Sequence, residues 1–270
     1  MSLTNKSPSE TYKDLLYVDN SNSGIDSTKR SIKSGDGSTS STLISDRGLQ
    51  IKSTTNNTTA FDVQNSGGTT KFLVDTTNNY VKANGVFVNT QYKELGIFDF
   101  SPAAGYHYPL IAMNGMYSSS GSNYSAYVNS SVWASNGENP ATSLTLATVA
   151  EQLVPSLWIL LDNIYIDSVH YDISCDDAST ANIHLMSYDY VTGAGGTAGD
   201  LSSGAVLGQT GSASDNLTPV TVGDDRISNG SLTLNTQSVA SGKAIVGFVE
   251  NVGGTDDVTL QLTVKYHITS

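Results

Sequence analysis

Between residues 36 and 84 the apolar positions come in very short islands set in Ser, Thr, Asn, Gly and Asp. "AFDV" (residues 60–63) is followed by "NSGG", "KFLV" (71–74) by "DTTNN", and "YVKANG" closes the stretch. Alternation places Phe61 and Val63 on one face of a strand, and Phe72 and Val74 likewise. Phe61 and Phe72 lie eleven residues apart, the span of a strand plus a turn. The intervening Asn-Ser-Gly and Thr-Asn-Asn tolerate the left-handed backbone that tight turns need. One copy of so polar a segment cannot bury enough apolar surface to offset its conformational entropy. The expectation is a short intertwined β stalk in which Phe61, Val63, Phe72 and Val74 from several chains meet near a common axis. The alternative is a small sheet leaning on the C-terminal domain.

Beyond Asn84-Gly85 the apolar segments lengthen. Candidate strands are 85–89, 95–100, 108–115, 125–135, 143–150, two within 156–174, 181–191, 231–239, 243–252 and 258–269. In the last, Val258, Leu260, Leu262, Val264 and Tyr266 alternate with Thr259, Gln261, Thr263, Lys265 and His267. That is a strand with one buried face. Helix formers gather only around Ala147–Leu153. The pattern predicts an all-β chain whose residues 85–270 form a jelly-roll-like β-sandwich head. The Gly-rich stretch 192–216 reads as a long exposed loop or hairpin insert.

Residues 1–35 read as a polar N-terminal arm with one apolar island, Tyr12–Val18. Tyr12, Leu15, Leu16 and Val18 either plug into a partner surface, as an anchor, or form a strand that packs on the chain's own sheet.

The 270 residues are 38% hydrophobic and 14% charged, with a net charge of −12. This acidity excludes the basic footprint of a nucleic-acid binder and opposes docking on an anionic membrane. The single cysteine, Cys175, leaves no intrachain disulfide and no cysteine-bound zinc. The N-terminal "MSLTNKSPSE" lacks the apolar core of a signal peptide, and "LWILLDNIYI" is broken by Asp162 and Asn163, so no membrane insertion is expected. The expectation is a chain made in a cytosol and used there or released by lysis.

No catalytic set emerges. His107 sits in a turn-like "GYHYP", while His170, His184 and His267 alternate with apolar residues as strand-face positions do. No His-x-His, His-Glu-x-x-His, Gly-x-Ser-x-Gly or phosphate-loop motif is present. Neither a metal nor another cofactor is expected. The pairs Asp176-Asp177, Asp224-Asp225 and Asp256-Asp257 read as turn chemistry before calcium ligation, because no Asp-x-Asp-x-Asp-Gly order exists. The aromatic run Tyr106, Tyr108, Tyr117, Tyr124, Tyr127 and Trp133 offers a candidate glycan surface, with Tyr124, Tyr127 and Trp133 as contacts, or else core filling.

Three stretches carry a family resemblance. Residues 9–84, including "AFDVQNSGGTTKFLVDTTNNYV", resemble the N-terminal region of structural proteins from tailed bacteriophages, especially marine and cyanobacterial ones. "HLMSYDYVTG" with "GDLSSGAV", and "GKAIVGFVENVGGTDDVTLQLTVKYHI", resemble the C-terminal β domain of such virion appendage proteins. The resemblance implies a non-enzymatic homotrimer on the virion surface, its N-terminus on a capsid or tail adaptor protein and its β head outward. The short stalk and single head suit a capsid decoration protein or head fibre. The alternative is a tail fibre whose head binds a host cell-surface glycan.

Overall fold

A computed structural model describes residues 15–21, 23–102, 105–112, 139–143, 154–193, 199–211, 217–253 and 257–269. Its only helix among them is one 3-10 turn, Val154–Ser156, so the described chain is all-β. It separates into two compact units, Met1–Val88 and Asn89–Ser270. The candidate strand at 125–135, nearly all of that at 143–150 and the helix-forming stretch Ala147–Leu153 lie outside the described residues.

The first unit contains two four-stranded antiparallel meanders. One joins β1 (Leu16–Val18), β2 (Arg30–Ser34), β3 (Thr39–Ser45) and β4 (Gly48–Ile51) in chain order. The other joins β5 (Phe61–Gln64), β6 (Thr70–Asp75), β7 (Tyr80–Ala83) and β8 (Val86–Phe87) in the same way. Residue 35, the expected limit of the arm, falls in the turn between the paired strands β2 and β3. Polar side chains build the turns. Asn65 Oδ1 accepts the N–H groups of Gly67 and Thr69 at 3.1 and 2.8 Å. Asp75 Oδ1 accepts those of Thr77 and Asn78 at 2.9 and 2.8 Å. Between β7 and β8, Asn84 and Gly85 both take positive φ, 49° and 82°, as a two-residue primed hairpin turn requires.

The second unit is a two-sheet antiparallel sandwich. Among the described residues its eight principal strands are β9 (Thr90–Phe100), β10 (His107–Pro109), β12 (Ile164–Cys175), β13 (Ser179–Tyr190), β14 (Leu201–Gln209), β16 (Arg226–Ser231), β19 (Lys243–Gly253) and β20 (Val258–Ile268). Shorter strands extend the sheets: β11 (Trp158–Ile159) on β19, β15 (Val220–Val222) on β13, β17 (Thr233–Leu234) on β14 and β18 (Ser238–Val239) on β12. One sheet runs β9-β20-β12-β16 and the other β10-β19-β13-β14. Counting only the eight principal strands, these orders are 1-8-3-6 and 2-7-4-5, the jelly-roll arrangement of two Greek keys.

The core lies between the sheets. Leu95, Val169, Ile173, Leu260, Leu262 and Val264 on one side face Leu110, Ile183, Leu185, Ile245 and Val249 on the other, all buried. The first sheet turns its polar alternate positions outward, Gln261 among them, as antiparallel sheets with one solvated face do. The second sheet is buried on both faces, because His107, Asn182, His184, Phe248 and Glu250, which the register places on the face opposite Ile183 and Leu185, are also buried.

The stretch 192–216 is not simply an exposed loop: it contains β14, where Leu201 and Leu207 are buried. Gly204 and Gly208 answer crowding. A Cβ on Gly204 would lie 2.6 Å from Tyr188 Cε1 and 2.8 Å from Thr142 Cα. His107, read from sequence as part of a turn, belongs to β10 and pairs with Glu250.

Candidate self-association surface

The β5–β8 meander sorts its side chains by register. Phe61 pairs with Val74 and Val63 with Phe72. Phe72 and Val74 pair in turn with Ala83 and Val81, and Ala83 with Val86. Directly paired residues share a face, so all seven apolar side chains stand on one side of the sheet. Phe61, Val63, Phe72 and Val86 are 41%, 44%, 37% and 47% exposed. The four residues expected in a stalk core therefore share one sheet face. Val81, Ala83 and Val86 extend it and were missed. Their signal was present, since Val81 and Ala83 alternate with Lys82 and the Asn-Gly turn returns the chain to Val86.

The opposite face carries Tyr80, Lys82 and Phe87. The Tyr80 and Phe87 rings meet edge to face at 5.3 Å, and Lys82 Nζ lies 4.6 and 4.3 Å from their centres. Asp75 closes the β6–β7 turn on this side. Burial raises its pKa, but hydrogen bonds from Asn78, Tyr80 and Thr77 outweigh that and hold the carboxyl below its ordinary value. This face thus satisfies itself with local polar and cation–π contacts, while the apolar one has no such cover from its own sheet.

Among residues 15–88, the described buried side chains are those of Asn20 and Asp75; no apolar side chain is buried. Of the residues expected to anchor the chain, Leu15 precedes β1 and is exposed, whereas Leu16 and Val18 lie in β1 and pair with Ser34 and Ile32 of the same chain. Tyr12 lies outside the described residues.

Charge divides along the same boundary. Residues 1–88 carry nine Lys and Arg against eight Asp and Glu, and residues 89–270 carry four against seventeen. The net charge of −12 is therefore the property of the head. Like charges on identical heads repel, whereas the first unit has almost no net charge to oppose self-association.

The head's titratable groups assemble no open site among the described residues. His107 and His184 are both fully buried, with ring centres 5.1 Å apart and Glu250 Oε2 3.6 Å from His107 Nε2. Asn182 Nδ2 donates to Glu250 Oε2 at 2.8 Å, yet burial dominates and raises the Glu250 pKa. His267 Nδ1 lies 3.1 Å from Asp167 Oδ1, and the exposed His170 lies 3.7 Å from Asp172. Asp176-Asp177, Asp224-Asp225 and Asp257 sit in connections at the same end of the sandwich, beside the Cys175–Arg226 and Cys175–Val258 pairs. Among the described residues, no group of three or more His, Cys, Asp or Glu is placed to hold a metal. Tyr124, Tyr127 and Trp133 lie outside the described residues.

No protein-family model matches this chain, and no curated protein sequence matches it either.

Proposed function

We propose that this chain is a non-enzymatic homotrimeric surface protein of a tailed-bacteriophage virion. It decorates the capsid as a short fibre or knob, held through its N-terminal region, with the jelly-roll head outward. One observation supports self-association above the others: the β5–β8 meander offers a continuous apolar face, and its unit buries no apolar side chain among the described residues. Ordering the backbone costs about 1–2 kcal/mol per residue. Covering a Phe or Val side chain returns roughly 1.5–3 kcal/mol. Further copies of the same chain supply that cover, and a near-neutral surface lets them approach. The number three and the virion location rest on the resemblance of residues 9–84 and of the C-terminal segments to phage appendage proteins.

Light scattering tests the assembly. The full chain should have the mass of three copies, and residues 89–270 alone the mass of one. A folded monomer of the full chain would overturn the reading. Mass spectrometry of purified particles from the encoding phage tests virion membership, and its absence from them would remove that part.

A further inference from the structure

Every buried apolar side chain among the described residues belongs to the second unit. Of the eighteen large apolar side chains that stay exposed, eleven belong to residues 15–88, Phe61, Val63, Phe72 and Val86 among them. The two units therefore differ in what holds them folded. The second removes Leu185, Ile245 and Leu262 from water completely, and its β12 pairs with β20 at eleven positions. In the first, β5 pairs with β6 at four positions and β7 with β8 at two.

What the β5–β8 sheet has of its own is local. It has the turns closed by Asn65 and Asp75, the Tyr80–Phe87 contact with Lys82 Nζ beside both rings, and Phe61 against Phe72. Turn hydrogen bonds replace bonds to water and give a small net gain. A cation–π pair at an exposed site is also modest. Burial of apolar surface is the dominant favourable term in folding, and backbone ordering is the main opposing one. A sheet this small, with its apolar face open to water, bears the ordering cost and forgoes most of the burial. Isolated hairpins are marginal in water for the same reason.

We infer that the β5–β8 sheet folds only on assembly: in a single chain the head is folded and residues 61–87 are not, and the joining of copies orders them. This rests on the trimer proposed above and adds that its formation and the folding of its stalk are one event. The order of the stalk is thereby set by the concentration of the chain. A lone copy presents no ready-made edge strand, β5 or β8, to a wrong partner.

A guanidinium titration of the full chain, run at two protein concentrations tenfold apart, tests it. Light scattering reads the mass. Pulsed hydrogen exchange with mass spectrometry reads the amides of residues 61–87 and, in the head, of 164–190. The expected result is a single step in which the mass falls to one chain and residues 61–87 lose protection together. For three chains, tenfold more free chain raises the ratio of assembled to single chains about a hundredfold, so this step moves to higher denaturant. The head's own midpoint stays fixed. If the mass falls to one chain while residues 61–87 remain protected, the sheet stands alone; the inference is overturned and the trimer is kept. A step that ignores concentration, or an oligomer in which these amides exchange freely, overturns it too. A chain that is single from the start removes the trimer. Protected amides in that single chain then overturn the inference as well, whereas freely exchanging ones uphold its statement that one copy does not hold the sheet.

Discussion

The Phe61 and Phe72 rings meet edge to face, 6.1 Å between centroids and 71° between planes, on a sheet face left open by their own chain. They belong to diagonal positions of the β5–β6 pair, where aromatic side chains reach one another across the strand gap. Both residues stay partly exposed, at 41% and 37%, although each is the largest apolar group in its strand. In the proposed assembly, another copy closes over both.

Replacing Phe72 by Asp should therefore dissociate the assembly. Each copy loses the burial of one aromatic ring, worth about 1.5–3 kcal/mol, and gains a carboxylate facing its own symmetry mates. Light scattering of the F72D chain at micromolar concentration should give one chain's mass, while residues 89–270 keep their thermal transition. An unchanged oligomer would mean that this face is not where the copies meet.

Gly204→Ala should destabilise the head more than Gly208→Ala. At 204 the new methyl meets the Tyr188 ring and the Thr142 backbone, at 2.6 and 2.8 Å, and backbone cannot step aside. At 208 the nearest atom is Leu234 Cδ2 at 2.9 Å, the end of a flexible side chain. Overpacking costs typically 1–3 kcal/mol. For a domain of this size that corresponds to roughly 2–4 °C per kcal/mol. Calorimetry on the two variants should rank G204A below G208A; the reverse order would contradict the proposed backing of β14 by Thr142.

How far the sequence could be read follows from the same residues. The C-terminal strand was legible because Val258 to Tyr266 alternate cleanly over one buried face. Phe61, Val63, Phe72 and Val74 were legible for the same reason. β14 was hidden: its Ser202-Ser203-Gly204 run looks like a loop, and only the bulk of Tyr188 and the 141–142 segment against it explain the glycine. His107 was hidden because a three-residue strand ending on Pro109 has no period to read, and its partner Glu250 is 143 positions away. Long-range pairing, not local preference, fixed those positions.

Acid should act with opposite sign on two carboxyls. Glu250 has a raised folded pKa, so the folded head binds its proton more tightly than the unfolded chain does. Its contribution is most favourable below the ordinary value of 4.5 and is lost as pH rises through the raised one. Glu250→Gln should thus stabilise the head at pH 7, with the advantage fading below pH 4.5. Asp75 has a lowered pKa, so its contribution is present above 3.8 and lost as pH falls through the folded value. Asp75→Asn should weaken the β6–β7 turn at pH 7, and that difference should shrink in strong acid. Thermal melts of E250Q and hydrogen exchange at Thr77 and Asn78 in D75N, each across pH 3–7, read the two signs separately. A constant difference across the range would refute either assignment.

Salt should tighten the assembly. An interface held by exposed ion pairs weakens as salt screens them, over a Debye length of about 10 Å at 0.1 M. The face proposed for contact between copies, that of β5–β8, is apolar. The unscreened electrostatic term is the repulsion between heads that each carry four cationic and seventeen acidic residues. Raising NaCl from low millimolar to several hundred millimolar should therefore lower the dissociation constant measured by analytical ultracentrifugation. Deleting the heads, to leave residues 1–88, should flatten the salt dependence, because nine cationic and eight acidic residues leave almost no net repulsion to screen. If salt instead loosens the full-length oligomer, complementary charges between copies hold it, and the apolar face of β5–β8 is not its principal contact.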